Sequence, residues 1–326
     1  MNAHAVTAEA GTDARASAWP RRLALATLAL ALPLAFFGGS VTTLGAGLAI
    51  DGWLILEPGR GDWFLWFYPV EQWFRDVGTF VEHSHRLLGS GVGLLAIATA
   101  AACLRSERGP ARALSVAALL AVIAQGLLGA ARVLEKSTGF AFLHGAFGQA
   151  VFALLAATVV ATSPGFQSAR PAPIGAAPAL RRAALVATVA IYAQIVAGAW
   201  LRHSGATLAL LVHLVLLFVV LGTLLALRAG LRAAAGEAGV PPAAAGALLR
   251  CTRALELLLG AQIALGVLAF FSVYVLVGKV AESVQQGLFP TLHVIGGAAL
   301  LCASLATVMW TRRLTPPATA DARGGR

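Results

Sequence analysis

Eight stretches of this chain contain no Asp, Glu, Lys or Arg: residues 23–50, 87–104, 113–131, 137–169, 183–201, 203–227, 257–278 and 283–311. Each approaches or exceeds the roughly 18 to 20 residues that carry a helix across the hydrocarbon core of a bilayer. Lipid offers backbone amides no partner, so a spanning segment of this length satisfies its own hydrogen bonds as a helix. The chain is therefore expected to be all-α, a polytopic membrane bundle of eight transmembrane helices. Only 12% of its 326 residues are charged, against about a quarter in a soluble domain. That is too little polar surface to enclose a water-soluble core.

The net charge of +10 is explained by its distribution. With the N-terminus inside, seven basic residues (Arg60, Arg75, Arg86, Arg132, Lys136, Arg202 and Lys279) lie outside or at outer helix ends, and the other 17 of 24 fall on the inner side. This is the positive-inside pattern, with both termini cytoplasmic, and it argues against a nucleic-acid partner. The first apolar stretch follows Arg21 and Arg22 but is too long for a secretory h-region and lacks a small-residue cleavage site, so it reads as an uncleaved helix. Glu9 and Asp13 count against a mitochondrial transit peptide. The expected location is the bacterial plasma membrane. Cys103, Cys251 and Cys302 form neither a CxxC nor an outer-loop pair, so no disulfide or zinc framework is expected.

The expected helices cover about 23–46, 78–104, 112–133, 139–163, 181–201, 204–228, 251–275 and 288–311, numbered 1 to 8. Residues 1–20 and 313–326 read as tails, and the Ala- and Gly-rich inner connection 229–249 reads as flexible. Residues 51–76, with Trp53, Trp63, Trp66 and Trp73, read either as an interfacial segment at headgroup depth or as a lid over a site between helices. Pro164, Pro171, Pro173 and Pro178 mark a central linker. Gln125-Gly-Leu-Leu-Gly129 matches Gln262-Ile-Ala-Leu-Gly266, and the span from Gly39 to Gly45-Ala46 echoes Gly198 to Gly205-Ala206 with one residue inserted. These echoes suggest a parallel 4+4 internal repeat. The halves would be residues 1–163 and 180–326, joined by the linker 164–179.

Five of seven histidines fall within the expected bundle: His83, His85, His144, His213 and His293. An ionisable side chain in a membrane helix is costly enough to suggest function, although a lone one can be a hydrogen-bonded core residue. Helices 2, 4, 6 and 8 each carry one in the outer half. His85, His144, His213 and His293 lie roughly 5 to 9 residues past the outer ends, a depth of about 7 to 14 Å at the helical rise, and so form a layer. Facing imidazoles in a bundle suit the axial positions of a b-type haem iron, and four give two sites. The repeat pairs His85 with His144 and His213 with His293. Zinc or copper is the competing reading, weakened by the lack of a carboxylate or thiolate cluster. Arg132 and Arg202 sit where cations would meet haem propionates, or where they would simply snorkel to the interface.

Glu82 and His85 share a helix face, whereas His83 points to nearly the opposite side. Glu82 could serve chemistry at the adjacent site or pair with Arg86, four residues on. No acid holds the equivalent position before the other three ligands, where Ala141, Leu210 and Pro290 stand. Two equivalent electron-transfer haems would not need an acid at only one of them.

EHSHRLLGSGVG (82–93), GGSVTTLGAGLAIDGW (38–53), QGLLGAARVL (125–134) and QIVAGAWLRHSGA (194–206) are similar to the helix 2, 1, 3 and 5 motifs of the haem A synthase and cytochrome oxidase assembly family. The resemblance implies an eight-helix 4+4 fold that oxidises the C8 methyl of haem O to the formyl of haem A through successive hydroxylations. It implies substrate-haem ligation by His85 and His144, a resident haem b on the metal ligands His213 and His293, and Glu82 as the catalytic acid. Expected partners are the haem O substrate, a haem O synthase and an unidentified electron donor, with the oligomeric state, including a homo-oligomer, left open. The first outer loop lacks the cysteine pair of many bacterial members, and the outer segment 276–287 is long. The alternative function is a dihaem b-type electron carrier or a haem-binding assembly protein without haem-modifying activity.

Overall fold

The computed structural model describes residues 18–275 and 284–316. Most of each expected tail, Lys279 and most of the outer segment 276–287 lie outside these described residues. Eight long helices run through the chain: α1 (Trp19–Thr43), α2 (Val77–Ser106), α3 (Pro110–Leu134), α4 (Thr138–Ala161), α5 (Ala177–Ser204), α6 (Thr207–Ala235), α7 (Pro242–Phe270, continued by a π-turn Phe271–Val275) and α8 (Val284–Leu314). All eight are long and apolar enough to cross a membrane. The chain is an all-α, multi-pass membrane protein.

Local chemistry sets several helix ends. Asp76 caps α2 by accepting from the Thr79 amide at 2.8 Å, and Ser137 caps α4 by accepting from Phe140 at 3.3 Å. Helix α5 turns into α6 through Gly205 and Ala206 alone, and Gly205 adopts φ +62, a left-handed conformation that favours glycine. The near-direct passage expected from the sequence is therefore a two-residue hairpin.

The helices pack as two rings. Helices α1 and α2 pair closely, as do α3 and α4, with α2 against α3 and α1 against α4. In the second ring α5 pairs with α6 and α7 with α8, with α6 against α7 and α5 against α8. The rings meet where α1, α4, α5 and α8 touch. Buried alanines such as Ala96, Ala100, Ala118, Ala184 and Ala187 let backbones approach closely, as membrane bundles require in the absence of a hydrophobic drive between helices.

Two connections differ from the sequence reading. The stretch 229–249 is helical except for residues 236–241, because α6 continues to Ala235 and α7 begins at Pro242. Alanine is the strongest helix former, so the chain stays helical after Arg228 has ended the apolar run. The 164–179 connection contains a short helix, Pro164–Gln167, and packs against the C-terminal end of α8. Phe166 meets the Trp310 ring edge-on at 5.2 Å, the Ala172 amide donates to the Leu314 carbonyl at 2.8 Å, and Ile174 is buried.

Candidate functional site

The four layered histidines come together as two pairs. The ring centres of His85 and His144 are 6.3 Å apart at an interplanar angle of 77°, and those of His213 and His293 are 6.2 Å apart at 81°. Metal–imidazole nitrogen bonds run about 2.0 Å, so an iron ligated by both rings would separate their centres by about 6 Å. The spacing fits a shared metal in both pairs. Among the described residues no cluster of three or more His, Cys, Asp or Glu side chains could hold an ion.

Hydrogen bonding supports the fit. The Nδ1 atoms of His85 and His213 lie 3.1 Å from the carbonyls of Leu34 and Gln194. A carbonyl can only accept, so it holds the proton on Nδ1 and leaves Nε2 as an acceptor. At His213 the Gln194 side-chain amide lies 3.4 Å from Nε2, the position a metal would take. Nδ1 of His144 and of His293 is buried without a hydrogen-bond partner among the described residues. These two are not simply satisfied core histidines, since buried polar atoms almost always find partners. Their backbone carbonyls accept from the Gln125 and Gln262 amides at 2.9 Å.

Each ring also rests on a glycine of the preceding helix. A Cβ at Gly38, Gly129, Gly198 or Gly266 would fall 2.8, 3.1, 2.9 or 2.9 Å from Cε1 of His85, His144, His213 or His293 respectively. These contacts correct the sequence register: Gly38, not Gly39, matches Gly198. Gly45 then follows Gly38 at the same interval as Gly205 follows Gly198, and no insertion is needed.

Glu82 is buried at the start of the His85 helix. Its Oε1 accepts from Arg86 at 2.6 Å and its Oε2 from the Ile50 amide at 3.1 Å. Arg86 also donates to the carbonyls of Ile50 and Gly52 at 3.0 and 2.8 Å. The ion pair weighed from the sequence is thus present, and it ties the loop after α1 to α2. Above it, residues 51–76 fold as a cap with a two-stranded hairpin, Ile55–Leu56 against Trp63–Phe64. Ile50, Leu56, Leu65 and Tyr68 form a small core beneath Trp63 and Trp73. His83 lies buried under this cap, its ring 4.9 Å from that of Tyr68 and 5.1 Å from that of Trp73. Burial and the bond its hydroxyl donates to Glu57 at 2.9 Å push the Tyr68 phenol up to about 12. The stretch is therefore a folded cap, with Trp66, Phe67 and Phe74 exposed on its other side.

Arg132 lies across the backbone of Gly47 and has no ion-pair partner among the described residues. Arg202 reaches into the other ring of helices, donating to the Gly39 carbonyl at 2.8 Å and to the Thr43 hydroxyl. His203, unassigned in the sequence reading, sits over Gly145 beside His144: a Cβ at Gly145 would lie 3.2 Å from its Nε2. Only packing between the two rings puts it there, and nothing in the local sequence signals this.

A family model described as cytochrome oxidase assembly protein matches residues 21–212. The chain belongs to the cytochrome oxidase assembly protein family. The match takes in Glu82, His85, Arg132, His144 and Arg202 and ends one residue before His213. Among relatives, the protein named Heme A synthase of Alkalihalophilus pseudofirmus is 33% identical over 182 residues, covering 52% of this chain and 60% of the relative. The Heme A synthase of Shouchella clausii is 33% identical over 184 residues with the same coverage. That of Halalkalibacterium halodurans is 31% identical over 186 residues, also at 52% and 60%. The chain thus spans about 60% of the length of the curated relatives it matches.

Proposed function

We propose that this family member is a haem A synthase-type oxidoreductase that converts the C8 methyl of haem O to a formyl group for cytochrome oxidase biogenesis. The observation that carries the reading is the pair of facing imidazoles in each half, at 6.3 and 6.2 Å. Family membership and the names of the relatives support it.

In this reading His85 and His144 ligate the substrate haem, and Arg132 meets its propionates. His213 and His293 hold a resident haem b, with the free guanidinium nitrogens of Arg202 available to its acid groups. The resident haem supplies a one-electron carrier when bound. Glu82 is the carboxylate of the substrate side. Two successive hydroxylations of the methyl would each consume one dioxygen, with two electrons and two protons from the donor side, and release one water. Loss of water from the resulting gem-diol would give the formyl group. A buried carboxylate beside the ring would pass protons and offset developing positive charge. Arg86 holds the carboxylate at 2.6 Å and orients it. The protein works in the bacterial plasma membrane with both termini cytoplasmic, fed by a haem O synthase and served by an electron donor from outside the chain. The halves 1–163 and 180–326 are two copies of one four-helix unit.

A second reading, a dihaem b-type carrier or haem-binding assembly protein, draws support from the near-identical geometry of the pairs. Co-expression with a haem O synthase separates the two. Haem A extracted from the membranes supports the enzyme, and unaltered haem O beside bound haem b supports the carrier.

A further inference from the structure

The two rings of helices meet at a polar knot close to both histidine pairs. Arg202 of α5 donates through Nη2 to the Gly39 carbonyl at 2.8 Å and to the Thr43 hydroxyl, both on α1. Thr43 Oγ1 also donates to the Gly39 carbonyl at 3.0 Å and lies 3.5 Å from Thr291 Oγ1 on α8. Thr291 is 1% exposed, and its methyl fills the space above Gly39, where a Cβ would come within 2.7 Å of it. The neighbour of Gly39 is Gly38, the seat of His85. One turn before Arg202 is Gly198, the seat of His213, and Thr291 stands two residues before His293. Three histidines of the two pairs are thus held within about one turn of the same knot.

Arg202 stands in the last turn of α5, and a cation at the end of a membrane helix is costly enough to suggest that it is used. Arg202 has no ion-pair partner among the described residues. It spends its contacts on the last turns of α1, where the helix dipole favours a positive charge. It also crosses from one ring of helices to the other to do so.

We propose that Arg202, through Thr43 and the Gly38–Gly39 step, is a positioning residue that registers the two histidine pairs against each other. Displacing α1 moves the seat of His85 and the packing of Thr291 together, because interiors at close-packed density transmit such shifts. The proposal rests on the reading of both pairs as haem sites.

The test uses the full-length protein purified with its resident haem. Two quantities are measured: the midpoint potential of the resident b-type haem, and the affinity for haem O by absorbance titration. Arg202→Met is expected to shift the potential and to weaken haem O binding by about tenfold, the scale of coupling carried by one packed network. Thr43→Val removes a hydroxyl and leaves every charge in place. It is expected to weaken haem O binding by about threefold, which holds the proposal to account even if Arg202→Met fails to fold. Arg202→Lys, which restores a donor to Gly39 and Thr43, is expected to recover part of both signals. A potential shift in Arg202→Met with haem O affinity unchanged, or haem O affinity unchanged in Thr43→Val, would overturn the proposal and make Arg202 a local partner of the resident haem. Wild-type protein without a b-type spectrum, or unable to bind haem O, would instead refute the haem-site reading and the positioning role of Arg202 with it.

Discussion

Gly38 lies flat beneath the ring of His85, so close that a Cβ there would come within 2.8 Å of Cε1. Gly198 stands in the same relation to His213 at 2.9 Å. Alanine at either position gains helix propensity worth about 1 kcal/mol but forces the ring aside, an overpacking cost of about 1 to 3 kcal/mol. Gly38→Ala should therefore fold with stability near wild type and bind haem O more weakly. Gly198→Ala should lose resident haem absorbance. Gly222, with nothing within 4 Å of its Cβ position, serves as the control, and Gly222→Ala should keep full haem content. Haem-to-protein absorbance ratios check all three, and unchanged ratios throughout would show that the glycines do not set the rings.

Glu82 anchors the loop through Arg86 and the Ile50 amide, and the proposed function gives it a second, separable role as carboxylate of the substrate side. Glu82→Gln keeps the shape and an acceptor, and is expected to fold, bind haem and make little haem A. Glu82→Asp should be partly active at best, because the carboxylate retreats by one methylene. Glu82→Ala strands Arg86, whose side chain is 8% exposed, and should cost about 3 kcal/mol, with faster proteolysis of residues 51–64. Haem A yield and limited proteolysis read the two roles apart. Full haem A formation by Glu82→Gln would leave Glu82 as an anchor only.

Asp76 supplies a pH-dependent contribution outside the membrane. The Thr79 amide, followed by the Thr79 hydroxyl, holds its carboxyl below the usual 3.8. A depressed native value means that the cap stabilises at pH above the ordinary carboxylate value and fades as pH falls through the native one. Asp76→Ala should lower stability by about 1 kcal/mol at neutral pH, and the gap from wild type should close under acid. Thermal unfolding in detergent across pH checks this, and a gap that widened in acid would contradict the sign.

The proposed orientation puts the cap outside. Cysteines introduced at the exposed positions of Arg60 and Phe67 should react with an impermeant maleimide added to intact cells, while those replacing Arg170 and Ala238 should react only after lysis. The opposite labelling would invert the topology and move the histidine layer to the inner leaflet.

Much of this architecture could be read from residues alone, for identifiable reasons. Charge-free runs mark membrane helices because lipid penalises every unpaired polar group, and the histidines stood out against that apolar background. Helix ends were harder. Arg228, Arg232, Arg250 and Arg253 interrupt the apolar signal, yet alanine between them keeps α6 and α7 helical to within six residues of each other. The cap is ambiguous in sequence because its aromatic residues follow no simple period, and its fold draws on contacts distant along the chain, among them the buried Glu82–Arg86 pair of α2. The sequence marks Arg202 as a cation for haem propionates or the interface. It does not mark the bonds of Arg202 to Gly39 and Thr43, nor the place of His203 over Gly145, since these contacts cross from one ring of helices to the other, where sequence spacing carries no information.

The account stands or falls on two histidine pairs with different occupants. Full-length His213→Ala and His293→Ala proteins should lose the low-spin b-type spectrum, because a six-coordinate iron loses an axial ligand. His85→Ala and His144→Ala should keep most of that spectrum and make no haem A. Complete loss of haem from all four variants alike would contradict the separation of a substrate site from a resident one.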